Sequence, residues 1–137
     1  MPIEYQIDHA RRVVFARGIG SIAGEDLFSY QRDVWSRPEV AGYDELADMT
    51  DVRHIVNPTS GQIRKLADLS ASMDNPASLS RFAIVAPHGL AFGLGRMYEI
   101  YREMNEQSTK QCRVFRTRPE ALEWLGLEEP SQDADEG

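Results

Sequence analysis

Phe82-Ala83-Ile84-Val85-Ala86-Pro87-His88-Gly89, followed by Leu90, Leu94, Met97, Tyr101 and Met104, decides the fold class. Five apolar residues in a row, without alternation, predict a strand covered on both faces. Pro87-His88-Gly89 breaks the run, and His88 reads as a turn residue at a strand-to-helix junction. The apolar positions that follow recur at helical spacing and predict the longest helix of the chain. Its Met and aromatic stripe is core first and the lining of an apolar pocket second. A buried strand feeding a long amphipathic helix is the unit from which parallel α/β sheets are built.

The same pattern extends in both directions. Ile3, Tyr5 and Ile7 alternate with polar residues and predict a half-exposed edge strand. Val13-Val14-Phe15-Ala16 is a second continuous run, pairing with the first strand as an antiparallel hairpin, before Gly18, Gly20 and Gly24 punctuate a loop. Leu27, Tyr30 and Val34, widened by Phe28 and Trp35, make a first helix stopped by Pro38. Leu46-Ala47-Asp48-Met49 reads as a short strand that runs into a polar loop. Thr59 with Gln62 has the spacing of a capping box, and Ile63, Leu66, Ala67, Ser70 and Met73 trace the second helix until Asn75-Pro76. Cys112, Val114 and Phe115 form a peripheral last strand, with Cys112 as a core thiol. Pro119, Leu122, Leu125 and Gly126 outline a short final helix. The order ββαβαβαβα predicts a single α/β domain over 1–127, with a mixed, mostly parallel sheet of about five strands and four helices.

Composition bounds the function. The 137 residues are 42% apolar and 27% charged, enough for one core of ordinary composition. The net charge of −7 is concentrated in the acidic segment 128–137, expected to be a disordered tail. The remaining body is near neutral, and no nucleic-acid partner is expected. A single Cys leaves no disulfide framework, no stretch has the length of a membrane span, and the first residues lack a signal peptide's pattern. The expected location is therefore cytoplasmic.

No motif supplies a cofactor or metal site. Asp48, Asp51 and His54 near a strand end form the most suggestive polar spacing, but as solvated loop residues they fix no ligand geometry. A metal-dependent enzyme on these three is the outside alternative to a non-enzyme. No G-x-S-x-G elbow is present, and Gly89, Gly93 and Gly95 do not match a phosphate-binding fingerprint. Two glycines inside a helix cost about 1 kcal/mol each against Ala, which predicts close approach of the sheet, a subunit or a ligand. Phe92, Gly93, Arg96 and Tyr98 are thus candidates for a ligand or partner surface, together with Asp51 and His54. Arg96 with Glu99 also fits a plain helix-surface pair.

Asp48-Met49-Thr50-Asp51-Val52 ahead of Thr59-Ser60-Gly61 resembles the STAS or SpoIIAA-like family of bacterial anti-sigma-factor antagonists. Phe92-Gly93-Leu94-Gly95-Arg96-Met97-Tyr98-Glu99 and Ala121-Leu122-Glu123-Trp124-Leu125-Gly126 are similar to the third and last helices of its uncharacterised SpoIIAA-like branch. The resemblance spans residues 3–127 and implies that family's fold. It also implies a non-enzymatic regulatory or protein-interaction module whose partner docks around residues 51–61. In phosphorylated members a Ser at the start of the second helix accepts phosphate. Thr59, with Ser60 beside it, is the matching position, although Pro58 stands where the family has Asp. Read from the residues alone, Thr59 is an N-cap. The architecture also resembles lipid-binding Sec14-like domains, which implies the alternative of a carrier or sensor of a small apolar ligand. The exposed edge strand and long helix offer surfaces for a homodimer.

Overall fold

The computed structural model of the protein describes residues 2–129. Its elements follow the expected order: β1 (Ile3–Asp8), β2 (Val13–Ala23), α1 (Gly24–Trp35), β3 (Asp44–Val56), α2 (Ser60–Ser72), β4 (Arg81–Val85), α3 (Gly89–Met104), β5 (Gln111–Phe115) and α4 (Arg118–Leu125). The five strands form one sheet in sequence order, with β1 antiparallel to β2 and the other three pairings parallel. Both expected edge strands, β1 and β5, lie at the edges, and the central runs of β2 and β4 are buried.

Strand order that never reverses has a consequence for the helices. Right-handed crossovers that all step the same way place their helices on the same face. Accordingly α1, α2 and α3 all pack on the face carrying Ala16, Ala47, Phe82 and Ile84. α4, which follows the last strand, closes the opposite face over Val13, Phe15, Leu46, Ala83 and Val85. Its ends are set locally: Thr117 caps it by accepting the Glu120 N–H, and Gly126 ends it at φ 73.

Three expectations are corrected. The glycines after Ala16 do not make a loop, because β2 continues through Gly18 and Gly20 to Ala23 and Gly24 is the first residue of α1. Gly18 is required there, since a Cβ would meet Ile22 and Val52 side-chain atoms at 2.6 and 2.7 Å. Likewise β3 is not short but runs 13 residues, Asp44–Val56, so Asp51 and His54 sit on a strand rather than in a loop. Its pairing with β2 skips twice: Arg17 faces Asp48 but Ile19 faces Asp51, and Gly20 faces Val52 but Ser21 faces His54. Each skip puts an extra residue into β3, a bulge that re-aims the side chains beyond it. Met49, Val52 and Ile55 therefore share one face at a spacing of three.

The third correction concerns α3. Its buried residues are Gly95, Tyr98, Glu99 and Arg102, while Leu90 and Met104 of the predicted stripe are 59% and 66% exposed. Paired polar residues occupy half of the inner face, so apolar periodicity pointed slightly to one side of it. Of the acidic segment, Glu128 and Glu129 contact the body: the Glu128 carbonyl accepts from Arg11 at 2.9 Å, and Glu129 pairs with Arg118 at 2.6 Å. Residues 130–137 lie outside the described residues.

Candidate functional site: an apolar cavity beneath three helices

Beyond Asp48, β3 has no pairing with β4 and continues beside β2 alone. The two strands project as a ribbon past the end of the sheet, with Ile22, Val52 and Ile55 turned toward the helix layer. Between this ribbon, the sheet and α1–α3 lies a cavity of about 130 Å³, partly open to solvent. Its deep wall is Ala16, Ala47, Phe82 and Ile84, and Leu27, Ile63, Ala91 and Leu94 are part-exposed lining residues. Small residues create the space, because alanines of β2 and β3 face each other where larger side chains would close it. Open α/β sheets bind ligands at the carboxyl ends of their strands, where this ribbon begins.

The cavity is apolar apart from Glu45, Gln31 and the hydroxyls of Tyr30 and Tyr98. Glu45 is 3% exposed and accepts the Tyr30 hydroxyl at 2.8 Å, and Lys110 stands 3.9 Å from its other oxygen. Trp35 Nε1 donates to the Tyr30 oxygen at 3.3 Å. Burial pushes the Glu45 carboxyl up, an effect opposed by Lys110 and the Tyr30 hydrogen bond, and burial also lowers the Lys110 ammonium. Gln31 is buried as well, with its amide nitrogen 3.7 Å from Met73 Sδ.

The residues singled out from the sequence scatter around this site. Tyr98 lines the cavity, buried against Phe82 in an edge-on ring contact. Gly95 lines it too, with Val114 methyls 3.2 and 3.3 Å from the position of a Cβ, so close approach of the sheet explains this glycine. Gly93 is exposed and open, with nothing near its missing Cβ. Phe92 is half-buried beneath the Arg116 guanidinium, 3.9 Å from the ring centre. Arg96 is exposed, but its partner Glu99 is not: Glu99 is buried, accepts from Arg96 at 2.6 Å and takes the Val114 N–H at 3.3 Å. That pair joins α3 to β5 and is not a mere surface pair.

Asp48, Asp51 and His54 go separate ways. Asp48 is buried, accepts from Thr50 and pairs with Arg118 of α4 at 3.0 Å. Asp51 is exposed and pairs with Arg17 at 2.6 Å, and His54 is exposed further along the ribbon. Among the described residues no three His, Cys, Asp or Glu side chains converge as metal ligands. Thr59 is the N-cap of α2, its hydroxyl accepting the Gln62 N–H at 3.1 Å, and both Thr59 and Ser60 are exposed. Cys112 packs against the core on the helix side, and burial pushes its thiol well up, which suppresses nucleophilicity. His88 ends the β4–α3 turn, exposed and making no side-chain cap.

The lining residues Met49, Val52 and Ile55 and the polar group Glu45 were missed from sequence. The first three are legible only as a spacing of three, which is no strand period. Glu45 gave no signal beyond an acid preceding an apolar run.

No family model matches the chain, and no curated protein matches it. Among solved structures it is similar to the crystal structure of an uncharacterized protein from the DUF3478 family with a SpoIIAA-like fold, from Shewanella loihica PV-4. The two are 16% identical, the match covers 90% of this chain and 93% of that one, and the TM-score is 0.57. The chain has the SpoIIAA-like fold. Among the described residues no helix is long and apolar enough to cross a membrane.

Proposed function

We propose that the protein is a non-catalytic binding module whose ligand is a small apolar molecule held beneath α1–α3. The single observation that supports this reading is the 130 Å³ cavity with an almost wholly apolar lining, partly open to solvent at the ribbon. An apolar cavity of about 150 Å³ is known to stay dry and to admit benzene, so this one suits a single ring or a few methylenes. It does not suit a whole lipid, and the Sec14-like alternative narrows accordingly to a ring-sized ligand. Of the polar groups that reach the space, the acid is engaged: Glu45 is held by Tyr30 and Lys110, leaving no free acid–base pair.

Titration of the protein with toluene, followed by methyl NMR, tests the reading. Saturable shifts centred on Ala47, Ile84 and Ala91 are expected, and Ala91→Leu, which adds three carbons at the cavity wall, is expected to abolish them while the fold is retained. Uniform weak shifts, unchanged in Ala91→Leu, would refute it.

A regulatory role through a protein partner has its own support in one place. The exposed loop 57–59 and the first turn of α2 join Ile55 to Ile63, and both of these line the cavity. Occupancy of the cavity would thus be felt where Asp51, His54, Thr59 and Ser60 face solvent. Phosphate added to Thr59 or Ser60 would meet the free N–H groups of α2. Mass spectrometry of protein purified from its own host checks this: a phosphate mapped to Thr59 or Ser60 is expected, and unmodified peptide removes the phosphoregulated version.

A further inference from the structure

The apolar cavity has two unlike ends. Glu45, near the start of β3, and Ile55, near its end, both line it, so the space runs from the foot of the strands to the ribbon. α1 runs the opposite way: its first residue, Gly24, lies against Gln62 beyond the ribbon, and its last, Trp35, lies against Lys110 just before β5. Leu27 is therefore nearer the ribbon, and Gln31, about one turn on, is nearer the foot. A second, polar cavity of about 50 Å³ lies there, where β3, β4 and β5 begin, and Gln31, Glu45 and Tyr98 line both spaces.

The other polar groups at this end have company. Tyr30 donates to Glu45, Lys110 stands by the same acid, and the Tyr98 hydroxyl lies beside that of Ser70. Gln31 has far less. It is 9% exposed, and its one hydrogen bond runs from Nε2 to Met73 Sδ at 3.7 Å, a weak acceptor. Its Oε1 has no partner among the described residues, yet unlike Ser70 Oγ it is not sealed, so it stays reachable from the free space. A buried amide without partners is costly, and a ligand that supplies one relieves that cost.

The surroundings narrow what that ligand is. Among the described residues no Lys, Arg or His lines the apolar cavity, and Glu45 lines the same end as Gln31. A carboxylate or phosphate there would be buried without a counter-charge. A hydroxyl both donates and accepts, so it matches either end of an amide. A space of about 130 Å³ leaves room for one ring or a few methylenes beside it. We infer, on the reading of the cavity as a binding site, that its ligand is a small neutral alcohol or phenol whose hydroxyl bonds the Gln31 amide while its apolar body lies toward the ribbon.

Phenol and toluene, which differ by a hydroxyl for a methyl on the same ring, test this by titration into the full chain, followed at the methyl groups of Ala47 and Ile84. With no partner for its hydroxyl, phenol would bind about tenfold or more weaker than toluene. The expected result is phenol binding at least as tightly as toluene. Gln31→Met keeps the length of the side chain and removes only an N–H···S contact, so it is expected to fold, to weaken phenol about tenfold and to leave toluene unchanged. Should it fail to fold, Gln31→Leu and the phenol-to-toluene ratio of the parent still decide. Phenol weaker than toluene in the parent, a ratio unchanged in the folded variant, or benzoate at neutral pH as tight as phenol overturns the inference. In each of these cases toluene binding leaves the cavity a binding site, whereas binding of neither phenol nor toluene removes that reading too.

Discussion

At Asp74, four donors from two parts of the chain, α3 and residues 108–110, meet one carboxylate, and one of them is a guanidinium 2% exposed. Removing the acid leaves a buried cation and two backbone N–H groups without partners. Asp74→Ala is therefore expected to cost about 3–5 kcal/mol in urea denaturation. A loss under about 1 kcal/mol would show that water reaches Arg102 freely. Glu45 poses the complementary case. Burial raises its carboxyl from an ordinary value of 4.5, so the folded state holds that proton more tightly than the unfolded chain does. Stability contributed by the protonated form is consequently lost as pH rises from about 4.5 through the raised value. Replacing both partners of the pair, Glu45→Gln with Lys110→Met, is expected to flatten that part of the melting-temperature profile and to leave neutral-pH stability near the parent's. Glu45→Gln alone strands the ammonium and is expected to destabilise by several kcal/mol. Equal stability of the single and double variants would show that the pair does not act as a unit.

Among the elements, β3 separates what was readable in sequence from what was not. Its first half, Leu46-Ala47, is sandwiched between two helix layers and reads as a strand. Its second half pairs only with β2, carries exposed Thr50, Asp51, Arg53 and His54, and contains two bulges, so it shows no period of two. Because the cavity is framed by that irregular half, its lining was hidden, whereas α2 and its Thr59 cap, α4 and the hairpin of β1 and β2 were all legible from local signals. Tyr98 was flagged for a surface and turned out to be buried. Gly93 was flagged for close approach that only Gly95 makes, since helical spacing alone does not say which of two nearby glycines faces the sheet. A ribbon supported on one edge opens more readily than a central strand. Amide exchange is expected to be faster over Asp51–Val56 than over Glu45–Asp48, and equal protection would mean that the ribbon is braced as firmly as the sheet. Thr59→Ala is expected to cost about 1 kcal/mol through the lost cap, and no change would show that the first turn is held from elsewhere.

Across the whole molecule, one topological fact organises the two cavities. A sheet whose strands follow sequence order places α1, α2 and α3 on one face, and three helices spanning a twisted sheet leave space at both of its ends. Alanines and bulged β3 keep the space apolar at the ribbon end. Arg102, Asp74, Lys110 and Glu45 keep it polar where the strands begin. Nothing in the fold itself dictates a ligand, which only the side chains lining the space can select. The measurement that bears most directly on the central claim is the toluene titration of the parent and Ala91→Leu proteins, read at the methyl groups of Ala47 and Ile84. Saturable, local shifts in the parent that vanish in a folded Ala91→Leu are predicted. Shifts that do not saturate, or that persist in the filled variant, would contradict the assignment of the cavity as a binding site.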